Sequence, residues 1–198
     1  MDINLIFLMI ILICASVAIF FKFSHPGMIY VKSDIDGSYY LVRNVQDKQE
    51  ASNTLARIRQ NIIKLSDYLY SNVNNVSIRK YKKYVIRLHQ KAGDIIILES
   101  EQDSIYTSYS VNKGEQIIFC LRSRKTSNNL HDINLMMYVV LHEISHVACP
   151  IYDNHGPLFR EIFSFIATSA VNIGLFKKID FATSNMEYCG LNITDSII

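Results

Sequence analysis

The residues best suited to chemistry lie in one stretch, LHEISHVACPIYDNHGPLFREIF, which spans residues 141–163. It contains three of the six histidines of the chain, His142, His146 and His155, and Glu143 directly follows the first. On a helix, His142 and His146 would lie one turn apart on the same face, where their nitrogens can bind one metal ion. Glu143 would lie beside them, where its carboxylate can reach a metal-bound water without displacing it. The HExxH pattern therefore predicts two metal ligands and one general base.

A tetrahedral catalytic zinc needs a third protein ligand and keeps its fourth position for water. His155 is the favoured third ligand because it directly precedes Gly156-Pro157, and proline is common at the first position of a helix. Glu161 is the alternative, since a glutamate on a following helix can also ligate zinc. Cys149 is close in sequence, but burial as a thiol is the commoner state for such a residue. The prediction is one Zn²⁺, with His155 as the third ligand.

The segment that carries the histidine pair is predicted to be a largely buried helix. Asp132 can cap the N-terminus of INLMMYVVLHEISHVA, residues 133–148. Imidazoles and a carboxylate among so many apolar residues would be costly without strong partners, and a zinc ion would supply one. LFREIFSFIATSAVNI, residues 158–173, is apolar enough to anchor a second helix in the core. His131 is expected to help cap the first helix rather than to bind zinc.

The upstream segments predict the rest of an α+β domain. A hairpin is expected over residues 28–44, around Asp36-Gly37, and an amphipathic helix over 47–72, whose apolar residues recur at helical spacing. Alternation of apolar and polar residues predicts strands in 94–100 and 104–123, with a turn at Asn112-Lys113-Gly114. An edge strand in this second hairpin could pair with an extended peptide, because its backbone groups would be unpaired.

The segment SIRKYKKYVIRLHQK, residues 77–91, combines a helical apolar face with six Lys and Arg residues. A solvated basic face is the favoured interpretation, and attraction to anionic lipid or to DNA phosphates is the alternative. The formal net charge of the whole chain is only +2, so any nucleic-acid partner would have to bind this local patch.

The N-terminus is predicted to be a transmembrane anchor over residues 1–22, followed by a linker over 23–28 and one domain over 29–198. Residues 3–21 carry no charge, and 19 helical residues span roughly 28 Å. A cleaved signal peptide is the rival, but Lys and Arg are missing before the apolar segment. Lys22 and Lys32 follow the segment, which favours the domain on the cytoplasmic side of a single-pass membrane protein.

Cysteine usage argues against a disulfide framework. Cys14 lies in the apolar segment, and Cys120, Cys149 and Cys189 leave an odd number in the rest of the chain. Because an odd number leaves at least one thiol over, a framework of several disulfides is not expected.

The zinc motif resembles that of known enzymes. HEISH, followed after eight residues by HGPLF, is similar to the SprT-like and WLM groups of zinc metallopeptidases, in which a third histidine, often in HGxxF, opens another helix. It differs from the metzincins, whose third histidine would fall at Tyr152. DGSYYLVRN, SYSVNKGEQIIFCLRS and EYCGLNITDSII further resemble segments of small WLM-like metallopeptidase proteins encoded by large DNA viruses.

The resemblance implies a minimal zincin-like α+β domain that hydrolyses peptide bonds of a protein or peptide substrate, tethered to a host or virion membrane. His142, His146 and His155 would bind zinc. Glu143 would accept a proton from the zinc-bound water and return it to the leaving amine.

Two other functions fit the same residues. A catalytically silent, membrane-anchored structural or interaction protein of the zincin fold could keep zinc for stability alone, although it would not need Glu143. Cleavage of proteins crosslinked to DNA is implied by the resemblance to some SprT-like enzymes and would use the basic helix. For peptide hydrolysis, Tyr109, Tyr152 and Tyr188 are chemically able to stabilise an oxyanion, but their positions in the sequence assign this role to none of them.

Overall fold

The chain folds as a mixture of helices and short strands. The computed structural model describes residues 3–23, 25, 27–125, 128–150, 155–184 and 186–198, and within the first helix it describes the side chains of residues 4–16. The helices are α1 (Ile3–Phe23), α2 (Lys48–Ser71), α3 (Val76–Arg79), α4 (Lys82–Ala92), α5 (Ile133–Ala148), α6 (Pro157–Asn172) and α7 (Phe181–Ser184). The strands are β1 (Met28–Lys32), β2 (Tyr39–Arg43), β3 (Ile96–Glu99), β4 (Tyr109–Val111), β5 (Gln116–Phe119), β6 (Met186–Tyr188) and β7 (Leu191–Ile193). The α+β class predicted from the sequence is the observed one.

Helix α2 forms the centre of the core. Its apolar residues recur every three or four positions, so they share one face, and that face packs against α4, α5, β2 and β3. The buried apolar residues of this face are Ala51, Leu55, Ala56, Ile58, Ile62, Leu65 and Leu69. The predicted amphipathic helix is therefore confirmed. The predicted basic helix is interrupted, because α3 ends at Arg79 and α4 begins at Lys82.

The strands form three small sheets. β1 and β2 make the predicted N-terminal hairpin. In the second sheet β5 lies in the middle, parallel to β3 and antiparallel to β4. The turn from β4 to β5 has positive φ at Asn112 (48°), Lys113 (55°) and Gly114 (95°), a conformation that asparagine and glycine tolerate best. Among the described strands β4 pairs only with β5, so its other edge is free.

Helix α5 begins and ends where its sequence predicts. The Asp132 carboxylate accepts hydrogen bonds from the backbone N–H groups of Asn134 (2.8 Å) and Leu135 (3.3 Å), which caps the helix. At the other end Cys149 is extended and Pro150 follows, so the helix stops after Ala148. α5 packs against α4 and α6, and most of its residues are buried. The histidine pair therefore lies on a rigid, well-anchored helix.

A buried ionic network joins the N-terminal hairpin to the central sheet. Glu99 is fully buried, and its Oε1 accepts a hydrogen bond from Nε of Arg122 at 2.7 Å. Its other oxygen accepts from the backbone N–H of Arg43 at 2.8 Å. Arg122 also donates to the Asp47 carboxylate at 2.7 Å, and Arg43 donates to the Ser100 carbonyl at 2.9 Å. These contacts provide the opposite charges and acceptors that buried guanidinium groups need.

The predicted transmembrane anchor is wrong. Across the part of the chain that the structure describes, no helix combines the length and apolar character needed to cross a membrane. The predicted fold class is therefore wrong in its N-terminal transmembrane helix. The predicted localisation, a single-pass membrane protein with a cytoplasmic domain, is wrong for the same reason. The domain boundaries at residues 22 and 28 stay predictions.

The described residues contain one disulfide, which the cysteine count did not predict. Cys120, directly after β5, is bonded to Cys189, in the turn between β6 and β7, across 69 residues of sequence. Counting cysteines could not find this pair, because parity says nothing about which side chains the fold brings together. The bond fixes the C-terminal hairpin against the central sheet.

Candidate metal centre

The structure brings the three predicted histidine ligands together. His142 and His146 lie one turn apart on α5, and His155 lies two residues before α6 begins. Their Nε2 atoms form a nearly equilateral triangle, with sides of 3.1 Å (His142 to His146), 3.1 Å (His146 to His155) and 3.2 Å (His142 to His155). His142 and His146 are partly buried, and His155 is exposed, so the triangle lies at the protein surface rather than inside it.

Three imidazole nitrogens in this arrangement cannot satisfy one another. Each Nε2 atom of a neutral ring is either a donor or an acceptor, so in any triangle at least two atoms of the same kind face each other. A cation that accepts three lone pairs removes this conflict. Tetrahedral zinc, with Zn–N distances of ~2.0–2.1 Å, places its ligand nitrogens about 3.3 Å apart, close to the observed sides. The donor set therefore fits one metal ion of the zinc type, and no other such group of His, Cys, Asp or Glu occurs among the described residues.

Phe159 holds the three rings in place. It is buried, lies one turn into α6 and contacts all three imidazoles. Its ring stacks on His146 with centroids 4.2 Å apart and meets His142 and His155 edge-on, each at 5.0 Å. Such contacts restrict ring orientation and keep the Nε2 atoms pointing at one another. Phe159 belongs to the HGPLF segment, where its spacing of four residues from His155 indicates proximity to that ring but not contact with all three.

Burial sets the protonation of the site in the absence of metal. It lowers the pKa of His142 to about 3, with smaller effects from His146 and His155. Burial, His155 and the charge of Lys113 lower the pKa of His146 to about 4. Both rings are therefore neutral at pH 7, the form that can bind metal. Burial raises the pKa of Glu143 to about 8, and a cation at the triad would act in the opposite direction by favouring the carboxylate.

The triad opens into a cleft of about 730 Å³. One wall is β4 with the preceding residues 107–108 and the turn to β5; the other is α5, with Tyr138 and Val139 one turn before the histidine pair. Ile193 of β7 lines the same cleft. A second cavity of about 500 Å³ on the far side of His142 and His155 is lined by C-terminal residues 195–197. The C-terminal segment therefore forms part of the surroundings of the site.

The competing ligands lie elsewhere. Glu161 forms an ion pair with Lys80 and accepts a hydrogen bond from the Tyr81 hydroxyl at 3.2 Å, so it is engaged away from the triad. Cys149 is buried and does not belong to the group of converging ligand atoms. His131 accepts a hydrogen bond from the backbone N–H of Cys189 at 3.2 Å, so it supports the C-terminal hairpin.

The three tyrosines considered for the oxyanion have different positions. Tyr109 lines the cleft. Tyr188 is buried, with its hydroxyl 2.5 Å from the Ser108 hydroxyl. Tyr152 lies outside the described residues. Tyr138, which the sequence analysis missed, lines the cleft from the position four residues before His142, and its hydroxyl donates to the Asp195 carbonyl at 3.2 Å.

The basic helix contributes to the support of the site. Arg87 donates to the Cys149 carbonyl at 3.3 Å, at the end of α5. Lys91 donates to the Lys113 carbonyl at 2.7 Å, in the turn from β4 to β5. These two cations bind backbone carbonyls of the protein itself, which leaves fewer of them for an external polyanion than the sequence alone indicated.

Comparison with known proteins finds viral relatives. The chain is 42% identical over 192 residues to "Uncharacterized protein R325" of Acanthamoeba polyphaga mimivirus, a match that covers 96% of this chain and 95% of the relative. It is 34% identical over 83 residues, 41% of this chain and 44% of the relative, to "Uncharacterized protein 136R" of Invertebrate iridescent virus 6. No family model matches the chain. No solved structure matches it either, so the zincin-like part of the predicted fold class has no support from a known fold.

Proposed function

The chain belongs to the family of the mimivirus protein R325, and we propose that it is a zinc-dependent peptidase with His142, His146 and His155 as ligands and Glu143 as general base. One observation carries the proposal. A triangle of imidazole nitrogens that needs a cation lies beside a buried carboxylate in an open cleft. A structural zinc site needs the ligands but not the carboxylate, and such sites are closed rather than open to a cleft of this size.

When bound, zinc would supply a Lewis acid that makes water a nucleophile near neutral pH. Glu143 then accepts the proton of the attacking water and donates it to the leaving amine of the peptide. Its position directly after His142 on α5 keeps the carboxylate next to the triad, and burial keeps it from solvent water. The apolar environment also strengthens every charge interaction that the carboxylate makes.

The free edge of β4 suits an extended peptide. β4 lines the cleft opposite α5, and its unpaired edge offers backbone N–H and C=O groups in the strand spacing. An extended substrate that pairs with this edge would bring its main chain past the triad. Most of its affinity would come from main-chain hydrogen bonds, and the lining side chains would supply the preference for particular residues.

The test is zinc content and peptide cleavage of the full chain, compared with Glu143→Gln and His155→Ala. We expect about one zinc per chain in the first two proteins and a sharp loss in His155→Ala. Cleavage of a peptide pool is expected only with the unmodified chain, with a loss in Glu143→Gln of at least ~100-fold, as for removal of a general base.

The alternatives give different results in the same experiment. Zinc without cleavage would favour a structural or interaction protein that uses the metal for stability. Equal cleavage by the unmodified chain and Glu143→Gln would overturn the role of the base, and absence of zinc from all three proteins would overturn the metal site.

A further inference from the structure

We propose that the cleft has a carboxylate-binding subsite formed by Lys113, so that the preferred peptide substrates carry an acidic side chain or a free C-terminal carboxylate there. This inference rests on the proposed peptidase function and adds the class of substrate. It starts from the charges of the cleft. Among the described residues that line it, Lys113 is the single Lys or Arg, and Glu143 is the single Asp or Glu.

The backbone of Lys113 is held in a fixed place relative to α5. Gly114 presses against the helix so closely that a Cβ there would lie 2.8 Å from the γ carbons of Val147. On the other side, the Lys91 ammonium donates to the Lys113 carbonyl at 2.7 Å. Lys113 itself has φ of 55°, an uncommon value for a lysine. The turn is therefore constrained both by packing and by a hydrogen bond.

The side chain of Lys113 is only partly committed. Its Nζ donates to the Pro150 carbonyl at 3.4 Å, the upper end of hydrogen-bonding distance. An ammonium has three donors, so two remain for a ligand in the cleft. The group is partly buried, which limits screening by water and makes a carboxylate partner more favourable than at an open surface.

The location of Lys113 defines where the carboxylate would bind. Its Nζ reaches the Pro150 carbonyl just past the end of α5, so the subsite lies at the His146 end of the triad, beside the turn where β4 ends. Lys91 donates to the carbonyl of this turn and Arg87 donates to the Cys149 carbonyl at the end of α5, so both add positive potential nearby. No described acidic side chain faces Lys113 within the cleft apart from Glu143, which sits at the triad. A substrate carboxylate would supply the missing counter-charge.

The experiment uses the zinc-loaded full chain and matched peptides. One series exchanges Glu for Gln at successive positions around the cleaved bond, and a second compares free with amidated C-termini, so the two sources of the carboxylate are separated. For the preferred position we expect kcat/KM to be ~10–100-fold higher with the carboxylate, as for a hydrogen bond to a charged group. Lys113→Met should abolish this preference for a carboxylate, and Lys113→Arg should largely restore it. Lys83→Met, on the exposed face of α4, is the control and should leave the preference unchanged.

Binding of the same peptides to zinc-loaded Glu143→Gln, alone and combined with Lys113→Met, separates this inference from the peptidase proposal. Charge-dependent binding that Lys113→Met abolishes, without cleavage by the unmodified chain, would support the subsite and reject the peptidase. Cleavage without preference for a carboxylate, or a preference that Lys113→Met retains, would overturn the subsite while the peptidase stands. If Lys113→Met keeps both cleavage and the preference in binding, the only role of the lysine is to hold the Pro150 carbonyl.

Discussion

The buried ionic network and the histidine triad are both polar clusters in a largely apolar domain, yet they are completed in different ways. In the network, the Glu99 carboxylate lies between the guanidinium groups of Arg43 and Arg122, and backbone carbonyls accept further N–H groups. Of the buried guanidinium and carboxylate atoms in this network, Nη2 of Arg122 alone has no hydrogen-bond partner among the described residues. In the triad, three nitrogens face one another, and under the proposed function the matching cation comes from outside the chain.

We propose that this difference separates a structural cluster from a metal-binding one. Opposite charges that meet inside the fold contribute to holding elements together and need nothing else. Ligand atoms of one kind that converge on a point lower the stability of the folded state until a partner binds them. Binding of that partner then contributes to the free energy of folding. The triad also opens to a cleft, whereas Glu99 is fully buried. Four experiments test this contrast.

The largest expected effect is that of Glu99→Gln. Removal of the central charge leaves Arg43 buried without its ion-pair partner and Arg122 with Asp47 alone, and the free energy of unfolding should fall by ~3–5 kcal/mol. Urea unfolding measures this loss, which should be the same with zinc and with EDTA. Asp47→Asn is the matched control, because the Asp47 side chain is 43% exposed and its pair with Arg122 is more screened. An equal loss in the control would mean that burial is not what makes the network important.

The next effect is that of metal removal. If zinc binds the folded chain alone, free zinc at about 100 times its Kd should raise the free energy of unfolding by ~2.7 kcal/mol relative to EDTA. His155→Ala should remove this difference while leaving the EDTA value close to that of the unmodified chain, because the side chain is exposed. A zinc effect that persists in His155→Ala would show that the metal binds elsewhere.

A smaller effect concerns Glu143→Gln as a function of pH, measured in EDTA. The pKa of Glu143 is raised by burial from 4.5 to about 8, so between these values the folded chain keeps a proton that the unfolded chain releases. Stability of the unmodified chain is therefore lost as pH rises through this range, whereas glutamine does not titrate. The stability advantage of Glu143→Gln over the unmodified chain should therefore grow steadily between pH 5 and pH 9. A constant difference would contradict the raised pKa, and bound zinc should shrink the growth by favouring the carboxylate.

The smallest effect is expected for Glu161→Gln. Glu161 was the alternative ligand, but it pairs with Lys80 on an exposed surface, where ion pairs contribute little. Zinc content and the thermal midpoint should match those of the unmodified chain. A drop in zinc content to the level of His155→Ala would return Glu161 to the ligand set.

The local parts of the fold were predictable because each is encoded within a few residues. The cap at Asp132, the buried face of α2 and the turn at Asn112–Gly114 follow from periodicity and from the conformations that these residue types allow. The long-range contacts were not. The parallel pairing of β3 with β5, the Glu99 network and the disulfide between Cys120 and Cys189 join segments that share no local signal.

The N-terminal prediction failed for a related reason. Hydropathy along residues 3–21 records composition, which an exposed apolar helix and a membrane span share. The surroundings of the metal centre show the same limit, since nothing in HEISH or HGPLF indicates that Phe159 contacts all three imidazoles or that Lys113 reaches the cleft from another hairpin.

The sequence by itself determined the spacing of His142, Glu143 and His146 on one helical face, because the pitch of an α-helix fixes which residues are neighbours. The tertiary structure decided that His155 rather than Glu161 meets them, and that β4, Lys113 and the C-terminal segment surround them. The physical reason is that a helix is set by contacts within one turn. The return of the chain to a given point depends instead on how all of its elements pack into a single core.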